Sequence, residues 1–152
     1  MSSADWTDVR FDYDGSLELA RRLWQLADHV LSAATARDQA ALDALDEWAG
    51  PLCDEFRARN EREAHDLHRI SAELRATAAG WAGAWAHAIN LQNRRLFARA
   101  CSIVRDRRSL VSRAWGAVVG HHDLPPEPYE RAVPVGPAFA PTGGFAHYSV
   151  LS

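Results

Sequence analysis

Apolar residues recur at steps of three and four along the first third of the chain, which is the spacing of one face of an α-helix. The row is interrupted only at Asp38 and comprises Leu17, Ala20, Trp24, Ala27, Leu31, Ala34, Ala41, Leu45 and Trp48. It predicts a long amphipathic helix that starts near Ser16, a residue type favoured at helix N-caps, and ends near Glu47. Further apolar residues widen the row, so we expect this helix to contact more than one neighbour. These are Leu23, Leu26, Val30 and Leu42.

The stretch from Ala41 to Phe56 has the features of a tight turn between two helices. Gly50 is the residue type that ends helices, because glycine accepts a positive φ. Pro51 follows it, and proline is favoured at the first helical position, where a missing N–H group costs nothing. The predicted turn motif is Trp48, Ala49, Gly50 and Pro51. The sequence therefore predicts an antiparallel helical hairpin.

A second apolar row with helical spacing begins after Pro51. Its members are Leu52, Phe56, Ala64, Leu67, Ile70, Leu74, Ala78, Trp81 and Trp85. The alanine-rich surroundings of Gly80 and Gly83 favour a helix that continues through both glycines, and a kink there is the alternative. Because tryptophan is costly to expose, we interpret the largest side chains of both rows as core and interface anchors. These are Trp24, Leu31, Phe56, Leu67, Leu74, Trp81 and Trp85.

Helical spacing persists from Asn90 to about Gly116. An unbroken helix from Pro51 to Gly116 would be about 100 Å long, and a single chain of this size cannot easily cover so much apolar face. We therefore expect either a break near Arg105 to Ser109, which would create a third helical segment, or a dimer.

The composition changes after Gly120, where six prolines fall between residues 125 and 141. Such a segment is typical of an extended tail, and its aromatic residues favour docking on the helices or on a partner over disorder. The predicted fold class is all-α: an antiparallel helical hairpin extended by a third helical segment and a Pro-rich C-terminal tail. The corresponding parts are an acidic N-terminal segment at 1–15, a helical domain at 16–120 and the tail at 121–152.

Charge and targeting features narrow the functional classes. The formal net charge is −3, and the 17 basic residues are all arginine. An arginine-rich run is a candidate binding site for nucleic acid or another polyanion, although the acidic N-terminal segment could neutralise it within the fold. This run includes Arg94, Arg95, Arg99, Arg105, Arg107 and Arg108. The N-terminus lacks the basic and apolar regions of a general secretory signal, and no apolar run is long enough to span a membrane.

Candidate catalytic and metal-binding residues are few. His65 and His68 lie on one side of the second helix with Glu61 one turn away, a spacing that suits a metal but is also common on a solvated helix face. The sequence has no Glu-x-x-His, Gly-x-Ser-x-Gly or phosphate-loop pattern. Cys53 and Cys101 are interpreted as buried, unpaired residues. We therefore predict no enzyme activity, no metal and no cofactor.

The Trp48-Ala49-Gly50 turn between two heptad-like helices, with Phe56 shortly after it, resembles the Trp-x-Gly family of small helical hairpins that type VII secretion systems export. The similarity covers about Leu17 to Trp85. It implies a non-enzymatic interaction protein that pairs with itself or with a related hairpin and that contacts the secretion machinery. The lysine-free composition, rich in alanine and arginine, is compatible with an actinobacterial source.

Members of that family usually carry an export signal in which a tyrosine is followed four residues later by Asp or Glu. None of the three tyrosines here fits, because the residues at that offset are Leu17, Val133 and Ser152. The resemblance therefore implies a cytoplasmic protein whose export by a type VII system depends on a partner that supplies the signal. The alternative is an unrelated cytoplasmic helical-bundle dimer that binds nucleic acid or another polyanion through Arg94 to Arg113.

Overall fold

Two long helices dominate the computed structural model, which describes residues 6–115 and 124–149. Helix α1 spans Tyr13–Leu45 and helix α2 spans Pro51–Trp115. The described residues contain no strand, and the two helices pack against each other. The predicted all-α helical hairpin is therefore confirmed. Neither helix contains a described stretch that is long and apolar enough to cross a lipid bilayer.

Helix α1 begins one turn earlier than the sequence pattern indicates. Ser16 lies inside the helix and is buried, so its prediction as the N-cap was wrong. Asp12 instead occupies the position before the first helical residue. A short carboxylate there can accept hydrogen bonds from the free N–H groups of the first turn, which explains the earlier start.

The turn between the helices follows the prediction at Gly50 and Pro51. Gly50 has a φ of 113°, a value that side-chain-bearing residues rarely adopt. Its carbonyl accepts hydrogen bonds from the N–H groups of Cys53 and Asp54, at 2.9 and 3.3 Å, and Pro51 is the first residue of α2. Helix α1 has already ended at Leu45, so Trp48 lies in the turn and not in the helix.

Helix α2 continues through Gly80 and Gly83, as predicted. It also continues through Arg105 to Ser109, so the predicted break was wrong, and the dimer given as its alternative stays a prediction. Residues 105–110 are all exposed and include neither glycine nor proline, so this stretch needs no apolar cover and has no residue that disfavours a helix. The segment after Asn90 is accordingly the second half of α2 and not a third helix; Gly116 lies outside the described residues.

The chain divides into two compact units, which we describe separately. The hairpin unit consists of residues 14–83 and 134–140. The described residues of the second unit, which we call the C-terminal unit, are 6–13, 84–115, 124–133 and 141–149.

The hairpin unit is built around a stripe of small residues spaced seven apart. On α1 the stripe consists of the buried Ala20, Ala27, Ala34 and Ala41, and on α2 Ala64, Ser71 and Ala78 have the same spacing. The Ser71 hydroxyl donates a buried hydrogen bond of 3.0 Å to the backbone carbonyl of Ala27. A side chain of one helix reaches the backbone of the other only where the helices approach closely, which small residues permit.

Polar contacts between α1 and α2 fix the register of the hairpin. Arg75 donates to Asp28 at 2.6 Å, and Asn60 donates to Asp38 at 3.2 Å. Arg37 forms an ion pair with Glu63. In each pair the two residues lie at similar distances in sequence from the turn, as an antiparallel arrangement requires.

In the C-terminal unit, α2 is covered by segments that are not helical. The buried α2 side chains include Trp85, Ile89, Ala100, Cys101 and Val104. Three amide side chains of α2 hold the backbone of the covering segments. Asn90 both donates to the carbonyl and accepts from the N–H of Arg131, at 3.1 and 2.7 Å. Gln92 accepts from the N–H of Val9 at 2.7 Å, and Asn93 accepts from the N–H of Ala146 at 2.9 Å.

We expect Gly50→Val to destabilise the hairpin, because a β-branched residue is strained at a φ of 113°. A left-handed conformation costs an ordinary residue about 1–2 kcal/mol, and the free energy of unfolding should fall by at least that amount. Urea denaturation followed by circular dichroism measures the change. Gly80→Ala is the control, because Gly80 is helical with open space around it, and alanine there should stabilise by up to about 1 kcal/mol. An unchanged unfolding midpoint in Gly50→Val would contradict the role given to the turn.

The Asp8 carboxylate gives the C-terminal unit a pH-dependent contact. Hydrogen bonds from Gln92 and then Arg99 lower the pKa of Asp8 below its ordinary value of 3.8. Because the folded-state pKa is the lower one, the ionised carboxylate stabilises the folded unit above about pH 3.8, and this contribution is lost as the pH falls through the folded-state pKa. NMR titration of the Asp8 carboxyl should show its pKa rising in Arg99→Gln. Arg105→Gln, which changes an exposed arginine of the same helix, should leave that pKa unaltered; equal pKa values in both variants would refute the assigned contact.

Candidate interaction surface

Large apolar side chains flank the small-residue stripe of the hairpin unit on two sides. Leu17, Trp24 and Leu31 each precede a stripe alanine of α1 by three residues, which places them about 60° to one side of it. Leu19 and Leu26 precede a stripe alanine by one residue, which places them about 100° to the other side. The hairpin therefore has two apolar sides and not one.

Helix α2 contributes its large apolar residues to the second of these sides. Ile70 immediately precedes the buried Ser71, and Trp81 immediately precedes the buried Ala82, as Leu26 precedes Ala27. Consider two antiparallel helices in contact, and a residue displaced from the contact line in a given rotational sense about its own helix axis. Such a residue lies on the same side of the pair whichever helix carries it. Ile70 and Trp81 therefore lie on the side of Leu19 and Leu26.

Contacts between the helices agree with this assignment. The Arg75 guanidinium lies 5.1 Å from the ring centroid of Trp24 and also binds Asp28, so these three residues mark the first side. The ion pair between Arg37 and Glu63 marks the second. Both residues of that pair are rotated away from the stripe in the same sense as Leu26.

Residues 134–140, which we call the strap, cover the part of the first side around Trp24, whereas Leu42, nearer the turn on the same side, stays exposed. The Phe139 side chain is 1% exposed and meets the Trp24 ring edge-on, with 5.6 Å between ring centroids. Gly136 lies so close to the same ring that a Cβ atom there would stand 2.7 Å from Trp24 Cε3. Arg21 Nε donates a hydrogen bond of 3.0 Å to the carbonyl of Ala138. The sequence pattern gave no indication that this segment packs on Trp24.

The second side, which we call the open side, stays exposed. Trp81 is 40% exposed and Leu26 is 49% exposed, and Leu19 and Ile70 have similar exposure. Half-buried apolar side chains lie between these residues and the stripe. They are Leu23, Val30, Leu67 and Leu74.

The open side extends to the turn. Phe56 and Leu52 lie on the same flank of α2 and are exposed, and Trp48 packs on Phe56 with 5.7 Å between ring centroids. From the level of Leu19 to that of Trp48 the hairpin is about 45 Å long at ~1.5 Å per residue. Two helices 8–10 Å apart present a width of roughly 18 Å, so this side offers on the order of 800 Å². That is about the area each partner contributes to a standard protein–protein interface.

The predicted anchors are divided among three environments. Trp24 packs under the strap, and Trp85 is buried within the C-terminal unit, so neither offers a free surface. Phe56 and Trp81 are exposed on the open side. The remaining predicted anchors are half-buried beside the stripe: Leu31, Leu67 and Leu74. In the turn motif Trp48, Ala49, Gly50 and Pro51 are all exposed.

The arginine-rich run is partly used within the C-terminal unit. Arg99 is buried and donates to the Asp8 carboxylate at 2.7 Å and to the Thr7 carbonyl at 2.6 Å. Arg95 also donates to the Thr7 carbonyl, at 2.9 Å, and Arg94 pairs with Glu130. By contrast, Arg105, Arg107 and Arg108 are exposed. The N-terminal segment thus neutralises one part of the run and leaves its end exposed.

The candidate metal ligands and cysteines have simple surroundings. His65 and His68 are both exposed on α2. Within the described part of the chain, no three side chains of His, Cys, Asp or Glu converge on a position suited to a metal ion. Cys53 and Cys101 are both unpaired and buried, as predicted.

Comparison of the chain with protein-family models, with curated proteins and with solved structures finds no match.

Proposed function

We propose that this chain is a non-enzymatic interaction protein that assembles with itself or with a related helical hairpin through the open side of its hairpin unit. The observation that carries the proposal is the row of large apolar side chains that stays exposed there, from Leu19 and Trp81 to Phe56 near the turn. Removing such surface from water is favourable by about 25 cal/mol per Å². Exposed apolar side chains that cluster on one face are typical of protein–protein interaction sites.

The composition of the open side suits protein association. Trp81 and Trp48 are of the residue type that most often dominates binding energy, and exposed leucine and isoleucine side chains lie on the same side of the hairpin. The ion pair of Arg37 with Glu63 lies on the same side and provides a polar element of the kind that limits the choice of partner. The scaffold beneath is held by the small-residue stripe and the turn, so little conformational entropy is lost on binding.

The resemblance to Trp-x-Gly hairpins gives the proposal its cellular setting. Two long antiparallel helices joined at Trp48, Ala49, Gly50 and Pro51 support that resemblance. We extend the proposal to a cytoplasmic, type VII secretion-associated protein whose partner is a second hairpin. In this proposal the partner carries the tyrosine-based export signal, because none of the three tyrosines here has the required acidic residue.

The alternative function is a dimer that binds nucleic acid or another polyanion through the end of α2. The exposure of Arg105, Arg107 and Arg108 favours it, and the intramolecular contacts of Arg94, Arg95 and Arg99 weaken it. A polyanion site of this kind loses affinity steeply with salt. Association through the open side should depend much less on salt. Measuring binding at increasing salt concentration therefore distinguishes the two functions.

We expect Leu26→Asp to weaken assembly by about tenfold or more, because a buried carboxylate in an apolar interface has no partner. Light scattering on a sizing column, with the chain alone and co-expressed with its genomic neighbours, measures the mass. Leu42→Asp is the matched control, since Leu42 is also an exposed leucine of α1 (62% exposed) but lies on the other flank. A wild-type chain that is monomeric in both settings would overturn the proposal, as would equal effects of the two substitutions.

A further inference from the structure

Helix α1 places large apolar side chains on both sides of the hairpin unit, and this creates a problem for controlled assembly. A hairpin that can bury one copy on each side presents two different surfaces to its neighbours. When two different surfaces of a subunit bind each other, every added subunit leaves a free binding surface at its far end. The assembly then grows as an open chain of subunits, unless the rotation between neighbours closes it into a ring. A protein that forms a defined pair through one side therefore needs the other side to be occupied.

The strap occupies that other side through a small number of specific contacts. Phe139 is among the largest fully buried side chains in the described part of the chain, while Val135, Pro137, Ala138 and Ala140 of the same segment are exposed. The exposed strap residues are small compared with the Trp24 and Phe139 rings beneath them. The strap thus replaces the surface of the Trp24 ring with one made of smaller apolar side chains, without an exposed aromatic ring.

The backbone of the strap is adapted to this contact. Phe139 has a φ of 40°, a left-handed conformation that bulky residues rarely adopt. The Phe139 N–H donates to the Val135 carbonyl at 3.2 Å, which closes a turn and turns the ring toward Trp24. Gly136 allows the chain to pass directly over the Trp24 ring, where a larger residue would collide. Backbone strain of this kind persists only where the surrounding contacts hold it.

We propose that the strap is an intramolecular cap, which covers the Trp24 side of the hairpin and so restricts assembly to the open side. This inference rests on the function proposed above. The occupant that the strap excludes is a second copy of the chain, whose open side presents Trp81, Leu26 and Ile70. With the strap in place a pair is the largest assembly; without it, each hairpin has two docking sides and the assembly grows.

The test uses the full chain with Phe139→Ser, which removes the ring that anchors the strap. The expected result is a mass that rises with concentration beyond that of a pair, measured by light scattering, whereas the wild type stays at the mass of a pair. Val135→Ser is the matched control, because Val135 belongs to the same strap but is 78% exposed, and its mass should equal that of the wild type. Gly136→Val is a second route to the same outcome, because its side chain would push the strap off Trp24.

Two further measurements separate strap release from general unfolding. Phe139→Ser should keep the helical circular dichroism of the wild type, because the strap is not helical. A synthetic peptide of residues 132–142 added to this variant should return its mass to that of a pair. The same peptide with serine in place of phenylalanine should have no effect, because only the ring fills the space over Trp24.

The possible outcomes distinguish this inference from the proposed function. If the wild type and Phe139→Ser both have the mass of a pair, the capping role is wrong and the proposed function stands. If the wild type is monomeric, alone and with its neighbours, but Phe139→Ser associates and the peptide reverses it, the proposed function is overturned. The strap is then still a cap, and the released Trp24 sides of two copies dock on each other. If both are monomeric at all concentrations, alone and when co-expressed with the genomic neighbours, both proposals are overturned.

Discussion

The close approach of α1 and α2 along the small-residue stripe is the constraint on which the hairpin depends. The hydrogen bond from Ser71 to the Ala27 carbonyl forms only because alanine leaves room for the two backbones. The same choice of residues has a consequence for the surface. Small residues occupy the line of contact between the helices, so the large apolar side chains lie to either side of that line. There the opposite helix does not cover them fully. An exposed apolar surface thus follows from the way in which the core is built.

The two sides of the hairpin both carry large apolar side chains of α1, but they differ in what α2 contributes and in what covers them. Trp24 is covered by Phe139 and Gly136, whereas Trp81 is left open. This asymmetry suits a protein that has one binding side. The strap is held in a rare backbone conformation at Phe139, the residue whose ring packs on Trp24.

The C-terminal unit covers α2 by different means. Asn90, Gln92 and Asn93 hydrogen-bond to the backbone of segments that are not helical, so the partners of those N–H and C=O groups come from side chains. Arg99 is buried because Asp8 and the Thr7 carbonyl satisfy its guanidinium. These segments cover the apolar face of α2 as far as Val104, and part of an arginine-rich run thereby serves the fold.

What the sequence by itself determined is local. The period of three and four residues specifies long helices, and Gly50 with Pro51 specifies where one ends and the next begins, because both signals act through backbone geometry within a few residues. The tertiary structure alone decided which apolar side is covered. Trp24 and Trp81 lie on equivalent rows, and nothing near either residue indicates that Phe139, more than a hundred positions after Trp24, packs on one of them. Contacts between distant segments depend on which surfaces the whole chain brings together. The local spacing of apolar residues contains no information about such contacts.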